Sequence, residues 1–271
     1  MKRTRSSKAD ATAPKYGTLV VWDFDWSLIN ENSDTYVLEQ LDPAVNDKME
    51  AKLRQGGMGW TQLMDWSVGE LAAAGHTPQA IRAALVGVPI LSGALSAFHA
   101  AKAAGAEQRI LSDANTVYIS SILEGRGLAA DVSTVETNPA AFDDAGRLRI
   151  RPHQPAGLPH GCALCPANLC KGAVLDTWLA ELAPSRCIYV GDGGGDFCPA
   201  TRLRASDVLL ARQAPHDGLL RKCRVATPQQ VRAKVVEWGG DSDGAALHAG
   251  IAAALETAPS APARPDQGVS E

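Results

Sequence analysis

One pattern constrains this chain more than any other. Short, nearly unbroken apolar runs end in aspartate, with amphipathic helical patterns between them. The runs are Leu19–Trp22 followed by Asp23, "QRILSD" (108–113), "CIYVGD" (187–192) and "DVLLA" (207–211). The helical patterns are "GALSAFHAAKAAG" (93–105), "NTVYISSILEGRG" (115–127) and "KGAVLDTWLAEL" (171–182). A strand without period-two alternation is buried on both faces, so the order predicts an α/β protein with a parallel, Rossmann-like sheet and helices on both faces. Such sheets bind ligands beyond the carboxyl ends of their strands, at the topological switch point. Asp23, Asp113 and Asp192 each stand at such an end.

Residues 33–90 break the alternation. They hold helical patterns ("PAVNDKMEAKLRQ", "WTQLMDWSVGELAAAG", and Thr77-Pro78 as N-cap and first helical residue) and no convincing strand. The segment is too long for a simple crossover and predicts a small helical cap inserted after the first strand. The core then comprises 17–32 and 91–256. Residues 1–16, with their cluster of Lys and Arg, are expected to be a disordered basic tail, and the proline-rich 257–271 a second disordered tail. A chain of 271 residues with 45% hydrophobic content can bury a sizeable core.

Composition excludes some functions and leaves others. A net charge of −4, from 26 basic and 30 acidic residues, argues against a general nucleic-acid or anionic-membrane surface. No apolar stretch is long enough to span a membrane. The N-terminus lacks the apolar core of a secretory signal, and the cysteines at 162, 165, 170, 187, 198 and 223 then belong to a reduced, cytoplasmic protein rather than a disulfide scaffold. Oligomeric state is not legible.

The chemistry starts at "VVWDFDWSLINENSD" (20–34). If Asp23, Asp25 and Asp192 converge at adjacent strand ends, a hard divalent cation among them relieves their repulsion, and oxygen-only ligation suits Mg²⁺. A carboxyl crowded by acids but off the metal keeps its proton and can act as an acid. Beside an anionic phosphate, one Asp can attack phosphorus and form an aspartyl-phosphate. Ser112 at the second strand end, Lys171 at a helix start and the amides after Asp23 are candidate donors to the phosphate oxygens.

In these elements the chain resembles the haloacid-dehalogenase-like phosphatases. Their four motifs match as Asp23-Phe24-Asp25-Trp26-Ser27, Ser112, Lys171, and Asp192 with Asp196 in "GDGGGD". "ENSD", "SDANT", "NPAAF", "CPANLCK" and "GDGGGDFCP" are similar to the branch of phosphoethanolamine/phosphocholine, pyridoxal-phosphate and thiamine-monophosphate phosphatases. The resemblance spans about residues 18–240. It implies that Asp23 is the nucleophile and Asp25 the general acid/base. It implies that Ser112 and Lys171 bind phosphate, and that Asp23, Asp25 (through its carbonyl), Asp192 and Asp196 make up the Mg²⁺ site. The implied activity is hydrolysis of a small phosphomonoester, phosphoethanolamine or phosphocholine first, with pyridoxal phosphate, thiamine monophosphate or pyrophosphate as alternatives. A non-catalytic binder of a phosphorylated ligand is the reading outside enzymes. Two positions depart from the pattern: Trp26 is bulky, and Gly195 stands where many relatives carry Asn, removing a hydrogen bond behind the metal site.

Three features fall outside the four motifs. Asp34 and Asp113 suit a cationic leaving group, such as an ammonium, or else cap the helices that begin beside them. Trp60, Trp66, Met58 and Met64 form either an aromatic cage for that cation or a helical core stripe. His160-Gly161-Cys162-x2-Cys165-x4-Cys170 offers a Cys3His zinc set. Because it lacks a second well-spaced ligand pair, a reduced, packed loop that positions Lys171 is the expectation there.

Overall fold

The structure, a computed structural model, describes residues 16–155 and 157–257. The two expected tails lie outside the described residues except for Tyr16 and Thr257. In chain order, β1 (Tyr16–Trp22) leads through a tight turn into α1 (Ser33–Leu41), α2 (Pro43–Gln55), α3 (Trp60–Ala73) and α4 (Pro78–Val86). Then come α5 (Ser92–Ala103), β2 (Glu107–Asn115), α6 (Thr116–Gly125), β3 (Thr134–Asn138) and the strand pair β4 (Ala140–Phe142) and β5 (Leu148–Ile150). A segment whose described residues show no helix or strand leads to α7 (Lys171–Leu182) and β6 (Pro184–Gly191). The chain closes with α8 (Phe197–Ala200), β7 (Val208–Arg212), α9 (Gly218–Val225), β8 (Lys234–Trp238) and α10 (Ala245–Glu256).

Six of the strands form one parallel sheet in the order β3-β2-β1-β6-β7-β8. The apolar run of β1 sits centrally, with Trp22 opposite Ile110 on one side and Val190 on the other. Its residues alternate between two cores. Val20 and Trp22 join the cluster under α5, α10 and the four helices of 33–86. Leu19 and Val21 join the cluster under α7 and α9. Burial on both faces is why the sequence shows no period-two pattern here. The chain runs from β1 out to β2 and β3, then returns to the other side of β1 as β6, so the switch point lies between β1 and β6. Asp23 and Asp192 follow directly after those two strands.

Local chemistry sets the helix starts. Asn32 caps α1 by accepting the amides of Asp34 and Thr35 at 3.0 and 3.1 Å. Asp42 and Thr77 cap α2 and α4, each with proline in the first turn. The capping expected of Thr77-Pro78 is therefore present. The turn after β1 is not a helix: Asp25 is extended, and Trp26 has φ 56°, a left-handed conformation unusual for a bulky residue. The Trp26 indole stacks on His216 with 3.7 Å between centroids, and Arg212 donates to the Trp26 carbonyl and to Asn30. These contacts offset a backbone cost on the order of 1–3 kcal/mol.

Besides the edge strands β3 and β8, two features were not anticipated. β2 shifts register with β3 between Leu111 and Asn115, a bulge at Ser112–Ala114 that re-aims side chains at the sheet edge of the site. β4 and β5 leave the main sheet as an antiparallel pair, held against α3 by Asp65, which accepts from Arg147, Arg149 and the Ile150 amide. Among the described residues no helix is long and apolar enough to cross a membrane.

Candidate active site

A cleft of about 180 Å³ opens beyond the carboxyl ends of β1, β2 and β6. Asp23, Asp25, Asp34, Ser112, Asp113, Lys171, Asp192 and Asp196, the eight residues expected at the site, all line it. The Asp23 amide donates to Val190 O at 2.9 Å, which ties the end of β1 to β6.

Lys171, the first residue of α7, is the centre of charge. Its Nζ donates to Asp23 Oδ1 and Asp196 Oδ1, both at 2.8 Å, and lies 3.7 Å from Asp113 Oδ2. Its side chain is only 4% exposed. Burial alone would depress the ammonium, but Asp196 and Asp23 hold it charged well above the ordinary lysine range. The Asp23 carboxyl is pushed upward by burial and then by Asp196, against the pull of Lys171.

Asp196 behaves differently from the other acids. Oδ1 accepts from Lys171 and from the Tyr189 hydroxyl at 2.8 Å, and Oδ2 accepts the amides of Asp192 and Gly193 at 3.2 and 3.1 Å. Both of its oxygens are occupied by protein donors. Gly191 permits this approach, since a Cβ there would sit 2.7 Å from Asp196 Oδ2. Asp192 meets Ser27 Oγ at 3.5 Å and the Asp23 carboxyl, and burial followed by Asp196 pushes its carboxyl up to about 7.

The donor set fits a hard cation. Carboxylate oxygens of Asp23, Asp192 and Asp196 lie within 4.8 Å of one another, and among the described residues no histidine or cysteine joins them. Three acids against one lysine leave excess negative charge, which a divalent ion with oxygen preference would neutralise. Within this set Asp196 orients Lys171 and the 192–193 turn through its protein donors.

Asp25 accepts the Ser33 amide at 3.1 Å, and burial, then the charge of Asp34, pushes its carboxyl up to about 7. It therefore holds a proton near neutrality. Ser112 Oγ accepts the Ala114 amide at 3.1 Å inside the bulge of β2 and is buried.

Neither Asp34 nor Asp113 caps a helix. The caps are Asn32 for α1 and Asn115 for α6, whose Oδ1 accepts the Tyr118 amide at 3.0 Å. Asp34 instead accepts from Trp60 Nε1 at 2.7 Å, and burial pushes it up to about 6. Asp113 accepts from Asn168 at 2.8 Å. A second cavity, of about 720 Å³, adjoins the cleft and shares Trp60, Asp113 and Gly195 with it. Pro152, Pro155, Pro159 and Pro166 give it largely apolar walls. The four candidate cage residues divide. Met64 is core, Trp66 packs against the core with Lys52 over its ring, Met58 is exposed, and Trp60 alone faces the cleft.

Sequence reasoning missed Tyr189, Asn138 and Asn168. Tyr189 looks like any core strand residue, and its hydroxyl partner appears only when Asp196 folds back. Asn138 donates to the carbonyls of Asp113 and Ala114 at 2.6 and 3.0 Å, bracing the bulge. Asn168 lies in "CPANLCK", a stretch that carries no local sign of its target.

The family model described as "Putative Phosphatase" matches residues 18–250. The chain belongs to this phosphatase family. The phosphatase is 39% identical over 225 residues to a thiamine phosphate phosphatase-like protein of Arabidopsis thaliana, covering 81% of this chain and 89% of that one. It is 36% identical to inorganic pyrophosphatase 2 of the same plant, covering 83% of this chain and 80% of that one. It is 32% identical to the human phosphoethanolamine/phosphocholine phosphatase, covering 85% and 87%. Among solved structures, a probable phosphoserine phosphatase from Vibrio cholerae superposes with a TM-score of 0.57 at 15% identity, covering 91% of this chain and 67% of that chain. That likeness concerns the fold, which is haloacid-dehalogenase-like as the sequence implied. The phosphatase is thus an enzyme, and the non-catalytic alternative falls away.

Proposed function

We propose that the phosphatase hydrolyses a small phosphomonoester with a cationic leaving group, through an aspartyl-phosphate on Asp23 and with Mg²⁺ as its metal. Asp23 attacks phosphorus, forming the P–O bond as the ester P–O bond breaks, and Asp25 gives its proton to the departing alkoxide. Asp25, now a carboxylate, takes a proton from water, whose oxygen attacks phosphorus and releases Asp23 and phosphate. Lys171 and Ser112 bind the phosphoryl oxygens, and Lys171 balances the Asp23 charge before attack. Asp23 and Asp192 would hold the metal, with the Asp25 carbonyl as a further ligand; it would supply charge neutralisation for the phosphoryl group. Residues 33–90 act as the cap over a core of 17–32 and 91–256, and Trp60 is the cap's reach into the site.

The observation that carries the leaving-group assignment is the pairing of two carboxylates, Asp34 and Asp113, with Trp60 where the cleft meets the apolar cavity. Together they favour a cation with an apolar body: phosphoethanolamine or phosphocholine at the small end, thiamine monophosphate at the large end. Gly195 keeps this corner open, because a Cβ there would lie 3.3 Å from Asp113 Oδ2. Pyrophosphate would place an anionic leaving group against the same acids, and pyridoxal phosphate the hydroxymethyl group of an aldehyde-bearing hydroxypyridine.

The test is phosphate release from phosphoethanolamine, phosphocholine, thiamine monophosphate, pyridoxal phosphate and pyrophosphate. Activity should vanish in EDTA, return with Mg²⁺, and be absent in folded Asp23→Asn. Turnover by Asp23→Asn near wild type would remove the nucleophile, and a preference for pyrophosphate would remove the cationic leaving group.

A further inference from the structure

The described residues of the segment 151–170, between β5 and α7, show no regular secondary structure, yet they include Asn168 and lead Lys171 to the site. Unsupported loops of this length are uncommon in compact folds and need something to hold them. Cys162, Cys165 and Cys170 project from it to a common point, where Cys198 of α8 meets them. The four sulfurs lie within 4.8 Å of one another. From these positions we propose that Cys162, Cys165, Cys170 and Cys198 form a structural zinc site that pins this loop to the helix following Asp196.

The spacing supports a metal rather than a disulfide. Tetrahedral zinc with Zn–S bonds of about 2.3 Å places its sulfurs roughly 3.8 Å apart. Cys162 Sγ and Cys198 Sγ are 3.7 Å apart, well beyond the roughly 2.05 Å of an S–S bond. Cys162-x2-Cys165 is the knuckle spacing common in zinc sites, and Cys170 with Cys198 completes the closed set. His160, the fourth ligand suggested by its proximity in sequence, has other partners: Nε2 contacts Pro166 O at 2.9 Å and Nδ1 accepts the Cys162 amide at 3.0 Å. The surroundings suit an anionic centre. Arg202 interacts with Cys198, and both groups lie over Gly172 in the first turn of α7, where any Cβ would collide with the Cys198 sulfur. Four thiolates and one Zn²⁺ carry a net charge of −2, which Arg202 and the α7 N-terminus offset. Binding releases the thiol protons to solvent and involves no change of oxidation state.

The site differs from the acid cluster in donor type, so the two metals separate experimentally. Tag-free protein purified under reducing conditions from zinc-supplemented cells should contain one zinc per chain by elemental analysis, retained through EDTA dialysis that removes Mg²⁺. Cobalt substitution should give the sulfur-to-metal charge-transfer and intense d–d bands of tetrahedral thiolate coordination, and zinc-edge absorption should show four sulfurs at about 2.3 Å. Cys165→Ser and Cys198→Ser should lose the metal, whereas His160→Ala should keep it. Should the serine variants fail to fold, the wild-type cobalt and absorption spectra decide. Wild-type protein that neither contains nor takes up zinc, a disulfide within the set, or loss of zinc in His160→Ala would overturn the site.

Discussion

Asp34→Asn separates the cost of a buried acid from its use. In the fold the Asp34 carboxyl is pushed from its ordinary 3.8 up to about 6. A carboxyl with a raised folded value binds its proton more tightly in the native state. The penalty is absent below the unfolded value, grows as pH rises toward about 6, and is constant above it. Two units at about 1.4 kcal/mol each put the penalty near 3 kcal/mol at pH 8. Asparagine keeps an oxygen for Trp60 Nε1, at 2.7 Å in the wild type, and the charge assistance that this bond loses is already contained in the value near 6. The variant should therefore be more stable by about 3 kcal/mol at pH 8, a rise of roughly 6–12 °C in Tm, and by well under 1 kcal/mol at pH 4. If the carboxylate serves a cationic leaving group, the same variant should raise KM for phosphocholine and thiamine monophosphate at least tenfold at pH 8, while KM for glycerol phosphate stays within twofold. Thermal melts in EDTA at both pH values and phosphate-release kinetics measure the two effects. An equal change in KM for charged and neutral esters would refute the cation role. A stability gain independent of pH would refute the electrostatic origin of the cost.

Two further outcomes test the charge arrangement. Lys171→Met leaves Asp23 and Asp196 buried without their cation, so it should cost about 3–5 kcal/mol in urea melts at pH 8, and a loss under 1 kcal/mol would mean the lysine is not what balances them. Because burial and Asp34 push Asp25 up to about 7, it stays protonated below that pH and loses its proton above it; kcat for esters with poor leaving groups should fall on the alkaline side of about 7, and a flat profile to pH 9 would remove Asp25 as the acid.

What this sequence determined by itself is whatever depends on neighbours along the chain. The apolar runs of β1, β2, β6 and β7 declare a sheet buried on both faces, because a two-sided strand has no polar face to alternate. The short strands β3 and β8 went unread: "TVETN" and "KVVEW" are edge or near-edge segments only partly covered, and their polar residues hide the strand. Thr77-Pro78 marks a helix start because capping is a local hydrogen bond. Asp23, Ser112 and Asp192 sit where strands end and Lys171 where a helix begins, and it is their match in that order to the motifs of the resembled family that gathered them. Tertiary structure alone decided what each carboxylate does once there. Asp196 and Asp192 are near neighbours with the same side chain. One has both oxygens filled by Lys171, Tyr189 and two amides, while the other lines the cleft with a long contact to Ser27 and the Asp23 carboxyl beside it. Asp34 and Asp113 sit beside helix starts, yet neighbouring asparagines take the caps and leave both acids to line the cleft. Cys198 joins Cys162, Cys165 and Cys170 only because α8 packs on the first turn of α7. A side chain's type is written in the sequence, but its charge state and its partners depend on what crosses the space between distant segments, and only the packed fold supplies that.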